Sequence, residues 1–222
     1  MTTVTAINSS PVSITKGAPE VLFERCNNIN TDEVKELASS YAKEGLKVIA
    51  VAIKQLEEIP ANPNPEDLEN DLTFVGIIGI VDKIAPKAAR LCIEMAAQGI
   101  KTIMVTGDHK DTAVAISKKA GIITDESQAI SREELAELSD EELASCINNY
   151  TVFARILPED KQRIVAALKA NNEKVLITGD SVKDTQALVD ADFGCALGST
   201  ASDMVKDSAD LVIEDNHYSS II

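Results

Sequence analysis

The sequence has no tryptophan, four phenylalanines and three tyrosines among 222 residues, so aromatic packing contributes little to its core. A hydrophobic fraction of 45% must then rest on valine, isoleucine, leucine and alanine. That mix suits helices packed on a parallel sheet, whose strands are buried on both faces. Cysteine is also scarce: Cys26, Cys92, Cys146 and Cys195 are widely spaced and form no Cys-x-x-Cys pair. The spacing argues against a zinc site and for reduced thiols in a cytosolic protein. No apolar run approaches the length of a membrane span and no signal peptide opens the chain, so a soluble chain acting in water is expected. Basic residues are outnumbered, 21 against 36 acidic ones, for a net charge of −15. That balance argues against a nucleic-acid partner or an anionic membrane surface, both of which attract basic patches. It identifies no acidic site, since solvated helix faces account for most of the carboxylates.

The length allows one full core, or one core plus a smaller lobe. Residues 1–15 read as strand-like, with Val12 and Ile14 alternating with Ser13 and Thr15. Residues 32–44 read as a helix with Thr31 as N-cap, Val34, Leu37 and Tyr41 on one face, and Gly45 as its stop. A strand over 46–53, a Pro/Asn-rich loop over 59–65 and a strand over 72–81 lead to a boundary near Asp82. Strands and helices alternate from there on. Pro86 opens a helix ending at Gly99, 100–105 is a strand, and a helix from Asp111 stops at Gly121. Ser131-x-x-Glu134 and Ser139-x-x-Glu142 are capping boxes. Strand 151–154, helix 158–171 and strands 174–178, 193–197 and 210–214 complete the series. Such alternation implies right-handed βαβ units and a parallel sheet, which binds ligands outside the carboxyl ends of its strands.

Two strand ends are nearly the same: IMVTGDHKDTA at 103–113 and VLITGDSVKDTQA at 175–187. Gly107 and Gly179 allow a sharp turn and a close ligand approach. Thr106 and Thr178 offer hydroxyls, and the amides of a following helix favour phosphate. Asp180 and Asp184 could hold Mg²⁺ through hard carboxylate oxygens. The plainer reading, that Thr-Gly-Asp is turn and cap chemistry, stays open, but its recurrence at two buried strand ends weakens it. Lys161 sits in the first turn of the helix opened by Pro158, where a cation opposes the helix dipole. An anionic ligand explains it better than helix stability does, with a solvated lysine as the alternative. A hydroxyl, a lysine and a carboxylate pair for Mg²⁺ are what phosphoryl transfer needs.

Five blocks, KGAPE at 16–20, TGDHKDTA at 106–113, VFARILPEDKQRIV at 152–165, TGDSVKDTQAL at 178–188 and the chain end from Ala196, resemble P-type ATPases in order and content. Among these the calcium-pump-like cation ATPases are the nearest group. The resemblance implies an α/β fold: a haloacid-dehalogenase-like parallel sheet with helices on both faces, preceded by a partial α+β nucleotide-binding lobe. It divides the chain into residues 1–81, part of the nucleotide-binding domain, and 82–222, a phosphorylation domain without its nucleophile strand. It also implies ATP as substrate and Mg²⁺ as cofactor. Lys16, with Gly17, matches the lysine beside adenine, and Lys47 stands where an arginine usually reaches the ATP phosphates, keeping charge but losing the bidentate fork. Thr106 and Gly107 match the loop holding the transferred phosphoryl group, Asp108 falls among the nucleotide-binding positions, and Arg155 matches a residue near the ribose. Lys161 matches the lysine that stabilises the phosphorylated aspartate, and Asp180 the Mg²⁺ ligand, with Asp184 beside it.

The sequence also departs from that pattern. It has no Asp-Lys-Thr-Gly-Thr nucleophile segment, which the resemblance places ahead of Met1. Ser181, Lys183 and Gln186 replace the usual Gly, Asn and Pro of the second loop, and the hinge reads Asp82-Lys83-Ile84-Ala85-Pro86. The leading expectation is a fragment, on the cytoplasmic side of the membrane, of a pump coupling ATP hydrolysis to cation transport. Its partners would be ATP and the pump's membrane and actuator domains, and it would not autophosphorylate alone. The alternatives are an inactive remnant serving as a nucleotide-binding or interaction module, and a free-standing phosphatase dependent on Asp82. A sheet without its central strand has unpaired edges, so some self-association is expected.

Overall fold

The computed structural model describes residues 1–81, 83–84 and 86–214, with Pro86 described by its backbone alone. The hinge residue Asp82 and positions 215–222 of the chain-end block lie outside the described residues. The chain divides into two compact units, Met1–Lys83 and Ile84–Ile222.

The first unit is a four-stranded antiparallel sheet carrying helices. Strands β1 (Thr2–Ile7) and β2 (Ser10–Gly17) form a hairpin where the sequence predicts a single strand-like stretch. The chain reverses at Asn8 and Ser9, whose φ values of 50° and 67° match the two-residue turns that follow strand twist. Helices α1 (Pro19–Phe23) and α2 (Thr31–Lys43) follow. Gly45, at φ 86°, ends α2 by turning its own amide to Ala42 O and that of Leu46 to Tyr41 O. Asn30, rather than the predicted Thr31, occupies the N-cap position. Strand β3 (Lys47–Gln55), the short helix α3 (Pro65–Leu68) and β4 (Thr73–Ile80) complete the order β1-β2-β3-β4. Ala50, Ala52, Phe74 and Ile77 face α1 and pack with Leu22, Phe23 and Leu72. Phe23 meets Phe74 edge-on at 5.7 Å between ring centroids.

The second unit alternates helix and strand. It runs through α4 (Pro86–Ala97), β5 (Met104–Val105), α5 (Lys110–Lys119), β6 (Ala129–Ser131), α6 (Arg132–Ala136), α7 (Asp140–Cys146) and β7 (Val152–Ala154). Then come α8 (Pro158–Ala170), β8 (Leu176–Gly179), α9 (Thr185–Asp190), β9 (Phe193–Leu197), α10 (Asp203–Asp207) and β10 (Leu211–Ile213). Among the described residues all of its pairings are parallel, in two three-stranded sheets ordered β5-β7-β6 and β8-β9-β10. Alternate residues of β7 serve opposite faces, so helices cover both sides. Val152 and Ala154 pack with Ala113 of α5, while Phe153 packs with Leu135, Leu143, Ile164 and Leu168 of α6, α7 and α8. Val105, at the end of β5, and Val175, just ahead of β8, pack against that second cluster. The expected strand over 100–105 shrinks to two residues. The Met104 amide donates to Thr151 O and the Thr106 amide to Phe153 O, and among the described residues β5 pairs on that side alone.

Candidate functional site

The first Thr-Gly-Asp follows β5 and is stitched to the end of β7. Thr106 N–H donates to Phe153 O at 2.9 Å, Ile156 N–H to Thr106 O at 3.0 Å, and Arg155 N–H to Asp108 O at 3.1 Å. Within the loop, Asp108 N–H donates to Thr106 Oγ1 at 3.1 Å. The hydroxyl therefore does serve turn chemistry as an acceptor, while its own proton is left for another partner. A methyl group built on Gly107 would meet nothing within 4 Å, so space is open above the turn. His109 caps α5 by accepting Asp111 N–H on Nδ1 at 3.2 Å.

The second Thr-Gly-Asp folds differently, because one more residue separates its two aspartates. Ser181 caps a single 3₁₀ turn, Val182–Asp184, which brings Asp184 back onto Gly179. A Cβ on Gly179 would lie 2.7 Å from Asp184 Cβ, so only glycine fits beneath that carboxylate. Asp184 Oδ2 accepts Ser181 N–H at 3.2 Å, and Oδ1 accepts the Lys161 ammonium in a direct ion pair. The pair is largely buried, with the Asp184 side chain 9% and the Lys161 side chain 23% exposed. The lysine placed against its helix dipole thus has an anion, and it is a side chain of this chain. Asp180, by contrast, is exposed at the end of β8.

The first turn of α8, which carries Lys161, is fixed by contacts of Asp160 that the sequence does not reveal. Buried Asp160 accepts Leu157 N–H at 2.9 Å and Arg132 Nε at 2.8 Å, which ties the start of α8 to α6. The visible signal was an aspartate at the third position of a proline-opened helix. Arg155 holds a second unforeseen feature: its φ is 62°, left-handed backbone in a residue with a Cβ. Burial pulls its guanidinium below the ordinary arginine range. In the first unit, the β2–β3 register aligns Lys16 with Val51, and Lys47 lies four residues from Val51 along β3. Both lysines are exposed on the sheet face opposite α1, with Ile49 and Val51 between them. Gly17 packs against Leu22, whose Cδ1 would stand 3.0 Å from an added Cβ.

The described residues contain no cluster of three or more metal-ligating side chains. Mg²⁺ commonly takes one or two protein carboxylates and fills its shell with water and substrate phosphate. The exposed hard oxygens of Asp180 fit that demand, whereas both Asp184 oxygens are engaged. No helix among the described residues is long and apolar enough to cross a membrane.

Parallel strands with helices on both faces, and polar loops at their carboxyl ends, define a doubly wound α/β domain of the kind that handles phosphate at its strand ends. Residues 10–192 match the haloacid dehalogenase-like hydrolase family, and the chain belongs to it. It is similar throughout to Calcium-transporting ATPase 1 of Bacillus cereus, at 39% identity over 234 residues covering 100% of this chain and 26% of that protein. A Probable cation-transporting P-type ATPase of Mycoplasma genitalium is 36% identical over 100% of the chain and 25% of its own length. The Calcium-transporting ATPase of Bacillus subtilis is 36% identical over 94% and 25% respectively. The chain spans about a quarter of the length of these curated relatives.

Proposed function

We propose that this chain is the ATP-binding and phosphoryl-handling segment of a P-type cation-transporting ATPase, placed on the cytoplasmic side of the membrane. Residues 1–81 are then part of the nucleotide-binding domain and 82–222 most of the phosphorylation domain. The observation that carries the reading is the chemistry at the strand ends. There a threonine hydroxyl with a proton to donate, an ammonium held in fixed position and an exposed carboxylate all follow parallel strands. Similarity to calcium- and cation-transporting ATPases along the whole chain supports it.

In this reading Thr106 donates its hydroxyl proton to an oxygen of the transferred phosphoryl group, across the open space beside Gly107 and Asp108. Lys161 supplies positive charge to the same group, held in place by Asp184. Asp180 is the residue that would hold Mg²⁺, which when bound neutralises phosphate charge. Lys16 and Lys47 serve the nucleotide in the first unit. The aspartate that accepts phosphate belongs to an Asp-Lys-Thr-Gly-Thr segment that these 222 residues do not contain. The chain alone therefore binds ATP without phosphorylating itself. Calorimetric titration with ATP and Mg²⁺ tests this. Saturable binding, weakened about tenfold in Lys161→Met by loss of a charge-assisted contact, supports the reading. Acid-stable transfer of labelled γ-phosphate to a carboxylate of this polypeptide overturns the second half of it.

One observation favours a second reading, a remnant that keeps the fold as an interaction module. Asp184 neutralises Lys161 inside the chain, so an incoming phosphate must compete with a fixed carboxylate. Absence of heat at millimolar nucleotide would select this reading over the first.

A further inference from the structure

Only one residue at the ends of the parallel strands is held in left-handed backbone among those described, and it is an arginine. L-residues with a Cβ reach that region at a cost that glycine avoids. Such strain persists where the surroundings enforce it, and at Arg155 two hydrogen bonds do so. Its own N–H donates to Asp108 O and the next amide, from Ile156, donates to Thr106 O. An extended residue at 155 would continue the direction of β7 and swing one of those two donors away from the loop. The positive φ is therefore the device that turns two successive amides onto the Thr106–Asp108 carbonyls. Ala154 and Ile156, on either side, are buried, which leaves the turn little room to relax.

We propose that Arg155 is a positioning residue: its left-handed backbone latches the Thr106–Gly107–Asp108 loop into the shape that presents the Thr106 hydroxyl. The proposal deepens the phosphoryl-handling reading of this site, and its functional test rests on that reading.

Three variants of the full chain test the latch. Arg155→Gly keeps the left-handed turn without strain, Arg155→Ala keeps the strain without the guanidinium, and Arg155→Val resists the turn altogether. In denaturant unfolding the folding constant is expected to fall in the order Gly, Ala, Val, with about threefold or more at each step. Amide exchange at 155 and 156 stays protected in Arg155→Gly and becomes fast in Arg155→Val. The functional arm is a cycle with Thr106→Ala, read as ATP affinity in the presence of Mg²⁺. Removing the hydroxyl should weaken ATP binding in the Arg155→Gly background and do nothing further in Arg155→Val, where the loop is already released. Equal stability of the Gly and Val variants overturns the latch, and so does a Thr106→Ala loss of the same size in both backgrounds. If the wild-type chain binds no ATP, the functional reading of the site fails, while the stability order and exchange pattern still decide the latch.

Discussion

Lys161 and Asp184 show how a single contact can carry both stability and reactivity. Removing the ammonium in Lys161→Met leaves a buried carboxylate whose remaining contact in the structure is the Ser181 amide. Truncating one partner of such a pair costs about 3 kcal/mol, because the other charge stays desolvated. The double change Lys161→Met with Asp184→Asn should recover part of that loss, a coupling that urea denaturation of the four proteins in the cycle measures. Additive effects would mean that the pair does not act as one. Its neighbour Thr185 has the opposite problem. Its Oγ1 is buried with no hydrogen-bond partner, the one such side-chain atom among the described residues. An orphaned hydroxyl costs about 1–3 kcal/mol, so Thr185→Val, which keeps the volume, should raise the thermal midpoint. A lowered midpoint would instead show that the hydroxyl finds a partner in solution. Neither feature was legible as a contact. The sequence shows a lysine opposing its helix dipole, but the carboxylate that answers it lies 23 residues further on. Two Thr-Gly-Asp copies look equivalent until the extra residue of the second folds Asp184 inward.

At the scale of elements, what could be read was what is local. Both capping boxes form as their spacing requires, with Ser131 and Glu134, and Ser139 and Glu142, exchanging side-chain and backbone hydrogen bonds. Helix stops at Gly45, Gly99 and Gly121 carry the expected positive φ. Strand lengths were less legible, because they depend on neighbours distant in sequence. Residues 100–105 are apolar enough for a strand, yet the chain pairs only at Met104–Val105. The caps also fix a pH dependence. The Ser139 amide, followed by the Ser139 hydroxyl, holds the Glu142 carboxyl below its ordinary value of 4.5. Burial pushes Glu134 up, but the Lys110 ammonium and the Ser131 amide outweigh it, and it too lies low. A carboxyl depressed in the folded state stabilises the fold fully above its unfolded pKa and loses that contribution as pH falls through the folded one. Glu142→Gln retains the box geometry without the titration. Its thermal midpoint should therefore decline less steeply than the wild type's as the pH drops below about 4.5. Parallel curves would remove Glu142 from the acid response.

For the whole molecule, net charge and one sheet edge pull in opposite directions. β4 reads Thr-Phe-Val-Gly-Ile-Ile-Gly-Ile, without charge or proline, and pairs only with β3 among the described residues. Val75 and Ile78 are 60% and 50% exposed on it. An uncharged edge strand is a template for a second strand, and an antiparallel pair of identical edges is self-complementary about a two-fold axis. The register shift opposite Val51 and Ala52, which leaves Val75 as the extra residue, is the local irregularity that blunts such an edge. Each copy also carries a net charge of −15, and two copies repel at low ionic strength. Raising salt shortens the screening length from roughly 30 Å at 0.01 M to about 3 Å at 1 M, which removes the repulsion and leaves the edge in place. Self-association should therefore rise with salt, the reverse of assembly driven by ion pairs. Sedimentation velocity across that range measures it, and Ile78→Lys should hold the protein monomeric at high salt without lowering its thermal midpoint, since the side chain is already half exposed. Salt-promoted assembly that persists in Ile78→Lys would move the contact away from β4, to the edges of β5 and β8, each of which has a neighbour on one side only among the described residues.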